Sequence, residues 1–267
     1  MFKAMYAAAK FIPFYSIKKL MFKKIHDKFG GHFIGCISGG APLDIEVGKF
    51  FERIGIKVYQ GYGLSEASPV VSINTDKRRE LASVGKPLKT FTAKVDSETG
   101  ELILKGPAVM KGYHNQPEMT ASVIDSDGWL HTGDIAKIDK DGHIFITGRI
   151  KNMIVLSGGK KVFPEEVEAV LEKSSYFAEV CVLGISRTFG AKDGTEEIAA
   201  VIVPADELIS KYDDETLDKL IRSEVKTLSG RLTAYKRPVN IIISKNPLPR
   251  TATRKVKRKE VKELVKI

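Results

Sequence analysis

Residues 128–168 read GWLHTGDIAKIDKDGHIFITGRIKNMIVLSGGKKVFPEEVE, and two textures meet inside this stretch. Up to Arg149 it alternates short β segments (135–138 and 143–147) with a turn at Asp141-Gly142. After Arg149 a loop of Gly158, Gly159 and Lys160 leads to Pro164, which opens an amphipathic helix with Val167, Val170 and Leu171 facing inward. Proline suits the first helical position because the N–H it lacks would have no intrahelical partner there. The junction at Ile150-Lys151-Asn152 is short, so a hinge there amounts to a few residues rather than a tether.

Upstream, residues 81–150 keep the first texture, with further β segments at 93–95 and 101–105 and turns at Glu98-Thr99-Gly100 and Asp127-Gly128. Such spacing predicts a small, mostly antiparallel sheet or barrel. Earlier still, the run HFIGCIS (32–38) reads as a buried strand ending at Gly39-Gly40. Asp44 can cap a helix carrying Ile45, Phe50 and Phe51, and a strand at 56–59 stops at Gly61. This rhythm predicts a parallel α/β layer, whose ligands sit at the carboxyl ends of strands. Residues 1–28 mix Lys with Phe, Tyr, Ile and Met and read as a surface helix packed on a larger body.

Downstream, strands are expected at 180–183, 198–203 and 239–244. A helix from about Asp214 carries Leu217, Leu220, Ile221, Val225 and Leu228 at spacings of three and four. The fold class is therefore α/β followed by α+β. Residues 1–150 form part of a large domain, α/β to about residue 80 and β-rich over 81–150. Residues 151–267 form a small α+β domain of roughly 115 residues, large enough to fold alone.

The length of 267 residues allows two domains, and 28% charged residues beside 43% hydrophobic ones suit a globular, water-exposed protein. No apolar run approaches the roughly 20 residues that span a bilayer. Lys3, Lys10, Lys18 and Lys19 interrupt any signal-peptide core. Cys36 and Cys181 stand apart, with no metal-ligand spacing, so reduced thiols and a cytoplasmic location are expected. The net charge of +10 concentrates in Lys18, Lys19, Lys23, Lys24 and Lys28 and again over 250–259. Such patches either face water or attract a polyanion, including an anionic membrane surface.

Several residues carry chemistry. Gly39-Gly40-Ala41-Pro42 lets backbone approach a flat ligand, though the same tetrad also serves as an ordinary strand-to-helix turn. In Gly61-Tyr62-Gly63-Leu64-Ser65-Glu66 two glycines flank an aromatic, and a hydroxyl and a carboxylate follow. The hydroxyl can bond a phosphate oxygen, and Glu66 can hold the Mg²⁺ that accompanies a triphosphate. Asp134, after a Thr132-Gly133 turn, can accept both hydroxyls of a ribose, and Arg149 can donate to ribose or phosphate. Each alone also fits a turn acid or a surface ion pair; with the 61–66 loop they point to a nucleotide. Ser157-Gly158-Gly159-Lys160 can pass an extended thiol-bearing chain against bare backbone, with the following helix N-terminus favouring an anion. Lys255 ends the loop PRTATRK (249–255), where a mobile ammonium can neutralise charge between a carboxylate and an α-phosphate.

In this order the motifs resemble those of the adenylate-forming superfamily, and among its members the bacterial long-chain fatty-acid–CoA ligases. The resemblance runs through FGGHFIGCISGGAPLDIEVGKFFERIGIKVYQGYGLSEASPVV, ELILKGPAVMKGYHNQPEMTA, the 128–168 block, YKRPVNIIIS and PRTATRKVKRKEV. It implies that Gly39, Gly40 and Ala41 line an adenine site, with Gly61, Tyr62, Gly63, Leu64 and Ser65 along adenine and phosphates. It implies Glu66 as Mg²⁺ ligand, Asp134 as ribose acid with Arg149 as its partner, and Lys151 as hinge. Ser157, Gly158, Gly159 and Lys160 would lie on the CoA side, and Lys255 would be the adenylation lysine. The implied reaction joins fatty acid and ATP into acyl-adenylate and pyrophosphate, then forms a thioester with CoA. Partners are thus small molecules, not nucleic acid, with peripheral membrane contact left open.

Two positions depart from the family pattern. Ser65 replaces the more usual threonine and keeps the hydroxyl, whereas Arg254 stands where many relatives have glycine. An absence matters more: no Ser/Thr/Gly-rich triphosphate loop followed by lysine is found, so the chain reads as the C-terminal half of such an enzyme, inactive alone. The alternatives are an acyl-adenylate ligase loading a carrier-protein thiol, and a non-catalytic binding module.

Overall fold

The computed structural model describes residues 2–77, 79–186, 196–252 and 254–265, which divide into two compact units at Ile146/Thr147. The first unit opens with three short helices, α1 (Phe2–Ala8), α2 (Tyr15–Met21) and α3 (Lys23–Lys28), rather than one. Pro13 explains the break, since it disfavours helical backbone at the residue before it, and Ile12 is extended at ψ 115°. Then come β1 (Gly35–Ser38), α4 (Ile45–Arg53), β2 (Lys57–Gly63), β3 (Val70–Ile73) and β4 (Lys86–Pro87), whose strands form one sheet in the order β1-β2-β3-β4. Asp44 caps α4, accepting the backbone N–H of Glu46 at 2.7 Å.

Only β1 and β2 pair in parallel, in register from Gly35↔Lys57 to Ser38↔Gln60; β3 and β4 extend the sheet antiparallel. The six residues between β2 and β3 can return the chain antiparallel but are too few for a parallel crossover. The expected burial of β1 is corrected, because Ile34 and Ile37 are 75% and 72% exposed. β1 is the edge strand, and its other side faces the cluster of Ala9, Phe22, Ile54 and Ile56, where Phe33 and Cys36 pack.

A second sheet follows, of β5 (Thr92–Val95), β6 (Glu101–Lys105), β7 (Leu130–Ile138) and β8 (Ile144–Arg149), curled into half a barrel, with α5 (Pro117–Val123) between β6 and β7. Leu102, Leu104, Leu130, Ala136 and Ile144 pack inside it with Ala67, Val71 and Phe91. On its margin Lys94 places its ammonium 4.0 Å from the centroid of Trp129, a cation–π contact.

The second unit begins with the hairpin β9 (Ile154–Val155) and β10 (Lys161–Val162), then α6 (Pro164–Leu171). A three-stranded sheet follows, of β11 (Phe177–Ser186), β12 (Glu196–Pro204) and β13 (Asn240–Ile243), with α7 (Asp206–Lys211) and α8 (Asp214–Ser229) before β13 and α9 (Arg258–Leu264) last. Alternation along β11 and β12 splits the core in two. Val180, Val182, Ile198, Ala200 and Ile202 pack with α6 and α8, while Cys181, Leu183, Ile185, Ala199, Val201 and Val203 pack with Val261 of α9. From α8, Leu217, Ile221, Val225 and Leu228 are buried, each contributing about 1.5–3 kcal/mol. Leu220, at the margin of that stripe, is half-buried.

Candidate functional site

In the first unit the Gly39-Gly40 turn that follows β1 lies beside Gly61, and the expected stop at Gly61 is corrected: β2 runs on through Gly63, with Gly61 paired to Ile73 of β3. A Cβ on Gly39 would stand 3.3 Å from the carbonyl oxygen of Gly61, and Gly40 takes φ +80°, a left-handed conformation open to glycine. Gly39, Gly40 and Ala41 are exposed, so their backbone is available to a flat ligand. Beneath them Gln60, 6% exposed, donates through Nε2 to the carbonyl of Leu81 at 2.8 Å and accepts from the N–H of Leu43 at 3.4 Å. That amide ties β2 to the segment just after the Gly39–Pro42 turn.

Past Gly61, Tyr62 reaches across to the second sheet, where its phenol donates to Asp134 Oδ2 at 2.6 Å. The expectation of a turn before Asp134 is corrected: Thr132, Gly133 and Asp134 all lie within β7, at a bulge opposite β6. Gly133 takes φ +70°, and its N–H donates to Glu101 Oε1 at 2.7 Å. The Thr132 hydroxyl donates to the carbonyl of Leu102 at 2.6 Å and accepts from the N–H of Asp134 at 3.1 Å. His131 Nδ1 lies 2.8 Å from the other oxygen of Glu101. The bulge thus aims Asp134, 3% exposed, from a braced backbone, as bulges do where a strand must redirect a side chain.

Leu64 packs on the core of the half-barrel sheet, and Ser65 opens a single helical turn, Ser65–Ala67, with its side chain exposed. Glu66 in that turn is held twice. Its carbonyl accepts the N–H of Met110 at 2.8 Å, and its Oε1 accepts the phenol of Tyr113 at 2.9 Å. That bond to the carboxylate, with burial second, raises the Tyr113 phenol above its ordinary pKa. Among the described residues no group of three or more His, Cys, Asp or Glu could cage a metal. A single half-exposed carboxylate fits magnesium instead, which keeps several waters and is bound by one or two carboxylates plus substrate phosphates.

Arg149 ends β8 on the second unit's side of the division, and Lys151 lies exposed in one helical turn, Ile150–Asn152. Gly158 and Gly159, at φ +87° and +76°, close the β9–β10 hairpin, where the Leu156 N–H donates to the carbonyl of Lys160 at 2.9 Å. Residues 157–160 are exposed, with the Lys160 ammonium 4.6 Å from the Tyr235 ring centroid. The following helix start does not favour an outside anion. The first turn of α6 carries Glu165 and Glu166, one bonded to Asn152 Nδ2 at 2.7 Å and the other paired with Lys236, so its dipole already meets acids.

Lys255 ends a separate tight turn. The Thr251 N–H donates to the carbonyl of Lys255 at 2.8 Å, and the Lys255 N–H donates to Thr251 Oγ1 at 3.1 Å. Arg254 takes φ +63°, so a residue with a Cβ holds the conformation that glycine would hold at lower cost. Arg250 fastens the turn, donating to the carbonyl of Arg254 at 2.7 Å and pairing with Glu179 of β11 at 3.2 Å. Below it, Arg258 of α9 pairs with Glu168 of α6, whose Oε1 accepts the Val182 N–H at 2.8 Å. Burial outweighs the arginine and pushes the Glu168 carboxyl up to about 7.

The structure therefore brings Gly39, Gly61, Tyr62 and Asp134 together in the first unit, while the 157–160 loop and the Lys255 turn stand on different elements of the second. Sequence reading missed Tyr113 and Glu101. Tyr113 is 47 positions from Glu66, and no local spacing marks a contact at that range.

Residues 3–114 match the family model of the AMP-binding enzymes, and residues 151–266 match the AMP-binding enzyme C-terminal domain. A long-chain fatty-acid–CoA ligase of Bacillus subtilis is 38% identical over 240 residues, covering 85% of this chain and 40% of the relative. A chloroplastic long-chain fatty-acid–[acyl-carrier-protein] ligase of Arabidopsis thaliana is 35% identical over 249 residues, covering 84% and 33%. The chain thus spans well under half the length of these curated relatives. Among solved structures, ATP-bound MatB from Rhodopseudomonas palustris aligns with a TM-score of 0.71 at 30% identity over 86% of this chain and 45% of that one. The O-succinylbenzoate coenzyme A synthetase of Bacillus subtilis with ATP and magnesium gives 0.69 at 27% identity over 91% and 50%. With the enzyme domain and its C-terminal companion matched in order along the sequence, this chain belongs to the AMP-binding enzyme family.

Proposed function

We propose that these residues are the nucleotide- and thiol-handling part of a long-chain fatty-acid–CoA ligase. In the first half-reaction a fatty carboxylate oxygen attacks the α-phosphorus of ATP, and the bond to the β-phosphate oxygen breaks, releasing pyrophosphate. In the second, the CoA sulfur, having lost its proton, attacks the acyl carbon and AMP leaves with the C–O electron pair. The observation that carries this reading is the Tyr62–Asp134 bond, because it holds the 61–66 loop beside a buried acid at the ends of β1 and β2. Asp134 would take the ribose, backbone at Gly39, Gly40 and Ala41 the adenine, and Ser65 a phosphate. Arg149 would donate to ribose or phosphate, and Lys151 would be the pivot between half-reactions. Lys255 would neutralise charge in adenylation, and the 157–160 loop would pass the pantetheine arm of CoA.

Magnesium, held by Glu66 together with the phosphates, would supply charge neutralisation on the triphosphate. No triphosphate loop followed by lysine is found among these 267 residues, so the polypeptide alone should form little acyl-CoA. The site of action is proposed to be cytoplasmic. Exposed Phe11 and Phe14 beside Lys10 support peripheral contact with an anionic membrane; among the described residues no helix is long and apolar enough to cross one. A second reading, transfer to a carrier-protein thiol, is favoured by the Arabidopsis relative, whose identity is close to that of the CoA ligase. Calorimetric titration of the chain with ATP and AMP tests the nucleotide reading. Binding of either, lost in Asp134→Ala, is expected; salt-sensitive lipid or DNA binding with no nucleotide affinity would instead favour a non-catalytic module.

A further inference from the structure

The two acids of the nucleotide site share a device: each accepts a phenol from a distant segment, Asp134 from Tyr62 and Glu66 from Tyr113. For Glu66 the anchoring runs deeper. Its carbonyl and its carboxylate are both bonded to one short segment, through Met110 and Tyr113. That segment is itself fixed to α5, since the Tyr113 N–H donates to Thr120 Oγ1 at 2.9 Å and that hydroxyl donates to the carbonyl of Gln116 at 2.9 Å. Gly112 lets the two elements approach, for a Cβ there would stand 2.8 Å from Thr120 Cγ2. A line of contacts thus runs from α5 through Thr120 and Tyr113 to Glu66.

We infer that Tyr113 is a positioning residue for Glu66, fixing its carboxylate to receive a divalent cation delivered with the triphosphate. This rests on the nucleotide reading above. A glutamate in a one-turn helix at the surface samples several rotamers, and a cation bound by a single carboxylate gains little from a ligand that must first be ordered. The phenol occupies Oε1 and orients the group, so the ordering cost falls on folding rather than on binding. A phenol also donates without adding charge. An ammonium in its place would repel the cation that Glu66 is set to hold.

The test uses the whole 267-residue chain and calorimetric titrations with AMP, with ATP alone and with ATP plus magnesium. The readout is the factor by which magnesium tightens ATP binding, compared with the affinity for AMP. Tyr113→Phe is expected to reduce that factor about three- to tenfold, the net worth of one ordinary hydrogen bond. Glu66→Gln should abolish it, and the double variant should match Glu66→Gln alone, because Tyr113 acts only through Glu66. If Glu66→Gln loses the magnesium effect while Tyr113→Phe keeps it, the positioning role is overturned and the nucleotide reading stands. If Tyr113→Phe weakens AMP as much as magnesium–ATP, the phenol is a packing group only and the inference is again overturned. If the unaltered chain binds neither nucleotide, the nucleotide reading fails and takes this role with it.

Discussion

A Cβ at Gly63 would stand 1.8 Å from the carbonyl oxygen of Pro69, whereas at Gly158 and Gly159 it would meet nothing within 4 Å. The same residue type thus meets opposite demands at these two places. Gly63 is needed because another stretch of backbone occupies the space, and the loop it begins continues into Ser65 and Glu66. Gly158 and Gly159 are needed for their positive φ, and the hairpin they close stands in solvent. The polar groups follow the same division. Asp134 and Glu66 are fixed by phenols from elsewhere in the sequence, while Lys160 and Lys255 project from turns whose bonds are mostly local. Asp134 and Glu66 are thus held by tertiary contact, Lys160 and Lys255 chiefly by the backbone conformation of their turns.

The largest break in that comparison should come from Gly63→Ala, which drives a methyl into fixed backbone. A loss of about 3 kcal/mol or more in urea unfolding is expected, and a loss under about 1 kcal/mol would show that the loop yields easily. Next is a pH effect in the second unit. The Glu168 carboxyl is pushed from 4.5 to about 7, so between those values the folded chain holds a proton that the unfolded chain has released. Stability therefore falls as pH rises through that window and levels off above about 7, by at most about 3 kcal/mol. Glu168→Gln should flatten the profile between pH 5 and 8, and an unchanged slope would assign the titration to another group.

The smallest effects are a paired test of the exposed turns. Gly158→Ala should cost about 1 kcal/mol through φ alone, and Arg254→Gly should return up to about 1 kcal/mol by relieving φ +63°. Equal and opposite shifts would sharpen the backbone account. The extra entropy of glycine in the unfolded chain trims both shifts alike, so a gain smaller than the loss would show that the Arg254 side chain makes contacts of its own.

Much of the fold was legible because it repeats. The stripe of α8 and the alternation of β11 and β12 are periodic signals, and Asp44 and Pro164 mark helix starts by chemistry that acts within one turn. What failed was whatever depended on a neighbour. Thr132-Gly133 looks the same in sequence whether it ends a strand or bulges within one, and only Glu101 and Leu102 across the sheet decide it. The burial of β1 depended on its place at a sheet edge, which its own apolar residues do not encode. In the candidate site the glycines and the candidate ribose acid, metal carboxylate and thiol-side loop could be offered from residue chemistry, and the family resemblance narrowed them to single roles. Tyr113 was invisible to both, since its partner lies at long range.

The cation–π pair of Lys94 and Trp129 has a practical consequence. Trp129 is the chain's single tryptophan and belongs to the first unit. Indole emission excited at the red edge therefore reports on that unit alone, while far-ultraviolet dichroism sums over both. Recorded together along one denaturant series, the two signals would separate the melting of the first unit from that of the second without any dye or label.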